Sequence, residues 1–255
     1  MSWASRRQAI ILSIVGAVVV AFLAILGTSI FYETPSCADS TQNQGEAGVD
    51  CGGPCAFLCT AEVQAPTVLF TKAIPNGVGR TDVIASIENI NARAAAKNVP
   101  YTVTLYGAKQ VFVQEVKGTI DLPPSSSVPV FIPGITTGSQ TVVRAFLTID
   151  ASAPQWFTLA ADPRILPVVS NTTLGGSVSA PRIDAVLSNA SVTTMMNVLA
   201  IVLVHDEQGA VIAASQTIVP SIPAQGRAGA TFTWNTSFGS ASTTAIEVVP
   251  IIPLP

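Results

Sequence analysis

Cys37, Cys51, Cys55 and Cys59 are the only cysteines of the chain, and they fall in one short segment, C-ADSTQNQGEAGVD-C-GGP-C-AFL-C. Cysteines set this closely serve either disulfide crosslinking or zinc binding. The C-x3-C-x3-C spacing is not that of a zinc knuckle, and an even count in an exported stretch reads as two disulfides. The segment has too few apolar residues to hold itself otherwise, since below about 40 residues burial seldom offsets chain entropy. Of about three connectivities open to four cysteines, the sequence selects none. Between the first two cysteines stand Asp39, Asn43, Glu46 and Asp50. Oxygen-bearing side chains at such intervals can fold around Ca²⁺, which takes about six to eight oxygens. These four would need carbonyls or water to complete the shell, and turn-forming, solvated residues show the same spacing. No other cofactor is expected.

Elsewhere the chemistry thins. The one histidine, His205, ends a predicted strand beside Asp206, where a surface role is expected rather than that of a base. No nucleophile elbow occurs, and Gly175-Gly176 lacks the lysine that a phosphate loop needs. Glu88, Glu115, Asp121, Asp184, Glu207 and Glu247 are scattered and form no acid–base pair. Tyr101, Tyr106, Trp156 and Trp234 are large enough to line a ligand face; packing in the core or at an interface is expected for most of them. Asn171-Thr-Thr, Asn189-Ala-Ser and Asn235-Thr-Ser match the glycosylation triplet, as matches arise by chance in a Ser/Thr-rich chain. No enzymatic activity is expected.

The elements that must position these residues begin with a charge-free run from Ala9 to Phe31, preceded by Arg6 and Arg7. A bilayer core of ~30 Å is crossed by a helix of about 20 residues, so this run is long enough to span. A cleaved signal has an apolar core of about 7–15 residues, and this one is longer. The positive-inside bias puts residues 1–8 in the cytoplasm as a stub, 9–32 in the plasma membrane and the rest outside, a single-pass topology. Charged residues are 11% of the chain and the net charge is −3, which leaves no electrostatic footprint for nucleic acid. After Phe31 the longest apolar stretch, Val198 to Val204, has a strand's length. Thr, Ser, Val, Ile and Ala punctuated by Pro and Gly are the composition of strands and turns. The fold class expected is all-β with one helix.

Beyond Cys59 the chain repeats itself about every hundred residues. Ile84–Asn89 aligns with Asp184–Asn189, Asn98–Tyr106 with Asn197–His205, Gly118–Pro124 with Gln216–Pro223, and Ser127–Pro133 with Gly229–Asn235. Each block is a β-branched run bounded by turn residues. Alternation in Tyr101–Tyr106 and Thr231–Asn235 implies one buried and one wet face, as in a two-sheet sandwich of about seven strands. Asp206-Glu-Gln-Gly209 reads as a hairpin turn. The expected organisation is a Cys-rich neck over 33–62, then sandwiches over 63–155 and 156–255, with a short linker near Ala151–Pro163. The prolines of Pro250–Pro255 cannot continue a central strand.

Two resemblances bear on function. Asp39, Asn43, Glu46, Asp50, Cys51, Gly52, Gly53 and Cys55 form a D-x3-N-x2-E-x3-D-C-G-G-x-C pattern. It resembles a small Cys-rich module of membrane-anchored bacterial surface proteins, often followed there by β-sandwiches; Ala38-Asp39-Ser40 stands where that module has Asp-Gly. The strand pattern of the repeats is similar to bacterial Ig-like domains of the FxLYD or CARDB kind. These resemblances imply the cell surface and extracytoplasmic adhesion or assembly, with other envelope or surface proteins as partners. The alternative expectation is an accessory subunit of an envelope enzyme, secretion or transport complex, docking through its helix.

Overall fold

The structure, a computed structural model, describes residues 3–31, 36–150, 154–159, 162–239, 243 and 245–255. The chain divides into two compact units, Met1–Cys55 and Ala56–Pro255. In the first, helix α1 spans Trp3–Phe31. Its segment Ser5–Gly27 is long and apolar enough to cross a membrane, and none of it is buried by protein. The helix starts ahead of Ala9 because Trp3–Gln8 holds no helix breaker. Arg7 lies over the Trp3 ring one turn earlier, 3.5 Å from its centroid, a cation–π contact. Tyr32, where the expected span ends, lies outside the described residues.

The second unit is all-β. Its first half holds β1 (Thr67–Pro75), β2 (Arg80–Asn89), β3 (Ala94–Tyr106), β4 (Phe112–Leu122), β5 (Ser126–Thr136), β6 (Arg144–Ile149) and β7 (Trp156–Thr158). The second half holds β8 (Val168–Ser177), β9 (Ala180–Ser188), β10 (Met195–His205), β11 (Val211–Ile222), β12 (Arg227–Thr233) and β13 (Ala245–Ile251). The sheets are β1-β2-β5 with β4-β3-β6, then β8-β9-β12 with β11-β10-β13. The fourth strand of each half thus pairs with the third, and every pairing is antiparallel. Among the described residues the first sandwich has the seven strands expected and the second has six.

One buried amide recurs in both halves. Asn89, fully buried, donates from Nδ2 to the carbonyls of Ala94 (2.8 Å), Pro123 (2.7 Å) and Leu122 (3.3 Å). Asn189 does the same to Thr193 (2.8 Å), Pro223 (3.0 Å) and Ile222 (3.2 Å). Each ties the end of its strand to the approach to or start of the next strand and to the following Pro turn, so the duplication reaches the hydrogen bonds. Asn98 and Asn197 repeat as well, with φ of 50° and 51°, Asn98 at a register shift in β3. Asparagine tolerates the left-handed region better than most residues.

Three apolar clusters hold the unit. The first lies between the sheets of the first sandwich, around Val83, Ile87, Val103, Leu105 and Trp156. The second lies between those of the second sandwich, around Ile183, Leu187, Val202 and Phe232. The third joins the two halves: Ile84 and Phe131 pack with Ile201, Leu203 and Val211. Sheets β1-β2-β5 and β11-β10-β13 are therefore covered on both faces. The one wet face expected of a two-sheet sandwich does not extend to β2 and β10, whose burial is nearly continuous. A strand buried on both sides needs an unbroken apolar run, which Val198–Val204 supplies.

The boundary at 155/156 also shifts. Trp156–Thr158 pairs with Ala94–Ala96 of β3, and Trp156 is 2% exposed in the first core. The largest apolar side chain in that stretch goes to the core that can enclose it, so the first sandwich extends past 155. Of the expected linker, residues 151–153 and 160–161 lie outside the described set.

Candidate functional site

All four cysteines are oxidised. Cys37 is bonded to Cys55 with Cα atoms 5.7 Å apart, and Cys51 to Cys59. With both Cys37 and Cys55 sulfurs in a disulfide, the grouping of Cys37, Glu46 and Cys55 offers a metal no thiolate. The expected calcium residues gather in one loop, where most of their oxygens accept backbone hydrogen bonds. Asp50 takes the N–H groups of Asp39 (2.9 Å) and Ser40 (3.0 Å). Glu46, buried, takes those of Asn43 and Asp50, both at 3.3 Å. Asp39 accepts from the Thr41 hydroxyl (2.6 Å), the Asn43 amide (2.9 Å) and the Ser36 N–H (3.0 Å). These bonds hold its carboxyl far below the ordinary carboxylate range, with Thr41 the largest cause. Asn43 Oδ1 is buried with no hydrogen-bond partner. The segment folds as a polar staple: carboxylates satisfy the backbone of turns too short to satisfy themselves.

His205 shares Nδ1 with the Gly209 carbonyl (3.2 Å), and its Nε2 lies 3.6 Å from Glu247. It steadies the Asp206–Gly209 turn, which closes as expected: Gly209 N–H donates to the Asp206 carbonyl, and Gly209 has φ of 77°. Asp121 accepts from the N–H groups of Asn98 (2.9 Å) and Leu254 (2.8 Å). The carboxylates named in the sequence do not converge on one site.

The aromatic residues separate. Trp156 is core. Trp234 packs on the second core, meets Phe238 edge-on at 4.9 Å and donates Nε1–H to the Ala214 carbonyl (3.1 Å). Tyr101 is half-buried over Gly118, in a cleft of about 400 Å³ between the halves, and burial raises its phenol. Tyr106 differs. On the open face of β4-β3-β6 it stands with Phe112 and Phe146, ring centroids 6.4 and 5.9 Å away and planes at 81° and 71°. Phe112 is 56% exposed and Phe146 51%. Beside them opens a cavity of about 550 Å³, floored by Thr104 and Thr148 and rimmed by Lys109 and Arg144. Phe112, Phe146, Lys109 and Arg144 belong to no motif in the sequence. The available signal was alternation in Arg144-Ala-Phe-Leu-Thr-Ile149, which sets Phe146 on the polar side.

No family model matches the chain, and no curated protein matches it. Among solved structures, a red sea bream transglutaminase aligns with 74% of this chain and 31% of its own length, at 12% identity and a TM-score of 0.27. A β-glucuronidase of glycoside hydrolase family 2 aligns with 82% of this chain and 26% of its own, at 11% identity and a TM-score of 0.23. This chain spans less than a third of either protein, and at these scores neither likeness bears on its activity.

Proposed function

We propose that this is a single-pass, membrane-anchored protein whose β domains work outside the cytoplasm as a non-catalytic interaction module in adhesion or envelope scaffolding. One observation carries the reading: an apolar span free of protein cover stands in the same unit as the Cys37–Cys55 staple. Cytosolic reductants keep thiols reduced, so persistent disulfides belong to an oxidising space. Arg6 and Arg7 ahead of the span favour a cytoplasmic N-terminus. The polar groups support the non-catalytic part, since Asp50, Asp121 and Asn189 are engaged in holding backbone.

The test uses intact cells making the full chain. Maleimide–polyethylene glycol is expected to label no cysteine until a reductant is added, and external protease to remove the β-rich part while the cytosol stays intact. Free thiols in untreated cells, or a protected β-rich part, would overturn the proposal.

A further inference from the structure

The open face of β4-β3-β6 meets the chemistry of one ligand class. Phe112–Tyr106–Arg144 form one cross-strand row, and Glu115–Thr104–Phe146 the next. Large rings with exposed faces beside hydroxyls and cations are not what a merely solvated sheet requires, and a patch of this kind rimmed by polar groups marks an interaction site. The cavity volume lies within the ~300–1,000 Å³ of ligand sites. Its rim carries Lys109 and Arg144, and no carboxylate lines it. Among the described residues neither cation has an ion pair, and the nearest acid in the rows, Glu115, is bound to Lys117 at 3.2 Å.

We propose that this face binds an acidic saccharide, a glycan containing uronic acid, with Tyr106 and Phe146 stacking on sugar rings and Arg144 and Lys109 taking the carboxylate. A pyranose presents a flat C–H face to the negative face of an aromatic ring and hydroxyls at its rim to Thr104 and Thr148. Guanidinium matches a carboxylate in two parallel hydrogen bonds. Three features set this ligand apart from others. A peptide cannot add as a strand at the cavity floor, because β3 is paired there with both β4 and β6. The rings stand edge to face, so no two form a parallel slot that would clamp a nucleobase. The two unpaired cations then select a charged sugar over a neutral one.

The inference rests on the interaction role proposed above, but its readout is independent of location. The full chain in detergent micelles is run through native gels containing polygalacturonate, dextran, polyglutamate or oligothymidylate. Retardation is expected with polygalacturonate and much less with dextran. Phe146→Ala and Arg144→Gln are each expected to weaken it about fivefold or more. Arg182→Gln, which removes an exposed cation already paired with Asp184, is expected to leave it unchanged. Both test side chains are exposed, and an unchanged melting curve certifies their folding. No retardation by polygalacturonate, retardation indifferent to Phe146→Ala, or tighter binding of polyglutamate or oligothymidylate would each overturn the proposal. Thiol labelling on cells decides the location separately, so the two readings fail apart.

Discussion

Replacing Asn189 by leucine tests whether the repeated amide holds each sandwich. The side chain is 2% exposed; it gives hydrogen bonds to three carbonyls and accepts one from Ser191 N–H at 2.8 Å. Leucine keeps nearly the same volume, so the cavity contribution stays small and the hydrogen bonds dominate. An amide has two N–H groups, so two donated bonds at full strength and one accepted bond are lost. At about 1 kcal/mol net each, with a further ~1–3 kcal/mol for buried carbonyls left unpaired, the loss is about 4–6 kcal/mol. For a domain of this size each kcal/mol moves the midpoint by about 2–4 °C, so a fall of about 15 °C is expected. The assay is thermal unfolding of the full chain in micelles, read by near-ultraviolet circular dichroism. Asn89→Leu should match it, because its bonds are the same set in the other half. Asn235→Ala, at an exposed position, should change stability by less than about 0.5 kcal/mol. A shift below about 3 °C for both buried asparagines would refute the reasoning. The same burial means that the Asn189 triplet cannot carry a glycan in the folded protein.

Truncating Trp156 to alanine should cost about 3–5 kcal/mol, as for other large core residues, and a denaturant titration showing less than about 1 kcal/mol would return Trp156–Thr158 to a linker. Removing the Cys37–Cys55 bond, whose partners are 18 residues apart, should destabilise the neck by about 3 kcal/mol. Hydrogen exchange at Ala47 and Cys51 would report it, and unchanged protection would contradict the staple. Acid should also destabilise the fold. Hydrogen bonds from Thr41 hold Asp39 below its ordinary value of 3.8, and those from Arg164 and Arg182 do so for Asp162 and Asp184. A depressed carboxylate stabilises the folded state fully above its unfolded pKa, and that gain is lost as pH falls toward the folded one. The melting temperature should therefore drop between about pH 5 and pH 3, less steeply in Asp184→Asn; a flat profile would contradict the assignment.

The sequence made legible whatever depends on run length and composition. The charge-free stretch from Ala9 to Phe31 could only be a long apolar helix, and the Asp206–Gly209 turn follows from its Gly. The cysteines' oxidation could be read from their number and company, but not their pairing, which depends on how the loop closes. A boundary at 155/156 puts Trp156 in the wrong sandwich, because a strand of three residues is too short to show a period. Asn89 and Asn189 close their β-branched runs, where asparagine is a common turn residue. Nothing in one dimension says that an amide at such a corner is buried among carbonyls.

The alignment of Asn98–Tyr106 with Asn197–His205 held more than a repeat. Thr102 and Thr104 stand where the second half has Ile201 and Leu203, on the same side of the equivalent strands. In the second half those apolar side chains close against Ile84 of the first. In the first half no such cover exists, and threonine keeps the sheet soluble. The stacking is head to tail: the β1-β2-β5 face of one repeat meets the β11-β10-β13 face of the next. The β4-β3-β6 face, counterpart of the one buried in the second half, is thereby left open. A face freed from packing duty and merely solvated would hold small or charged residues throughout. Phe146 and Phe112, about half exposed on a threonine floor, are apolar surface that the fold itself does not use. That excess is why the glycan experiment belongs on this face rather than on β8-β9-β12, where the Arg182 guanidinium is already matched by Asp184 at 2.8 Å.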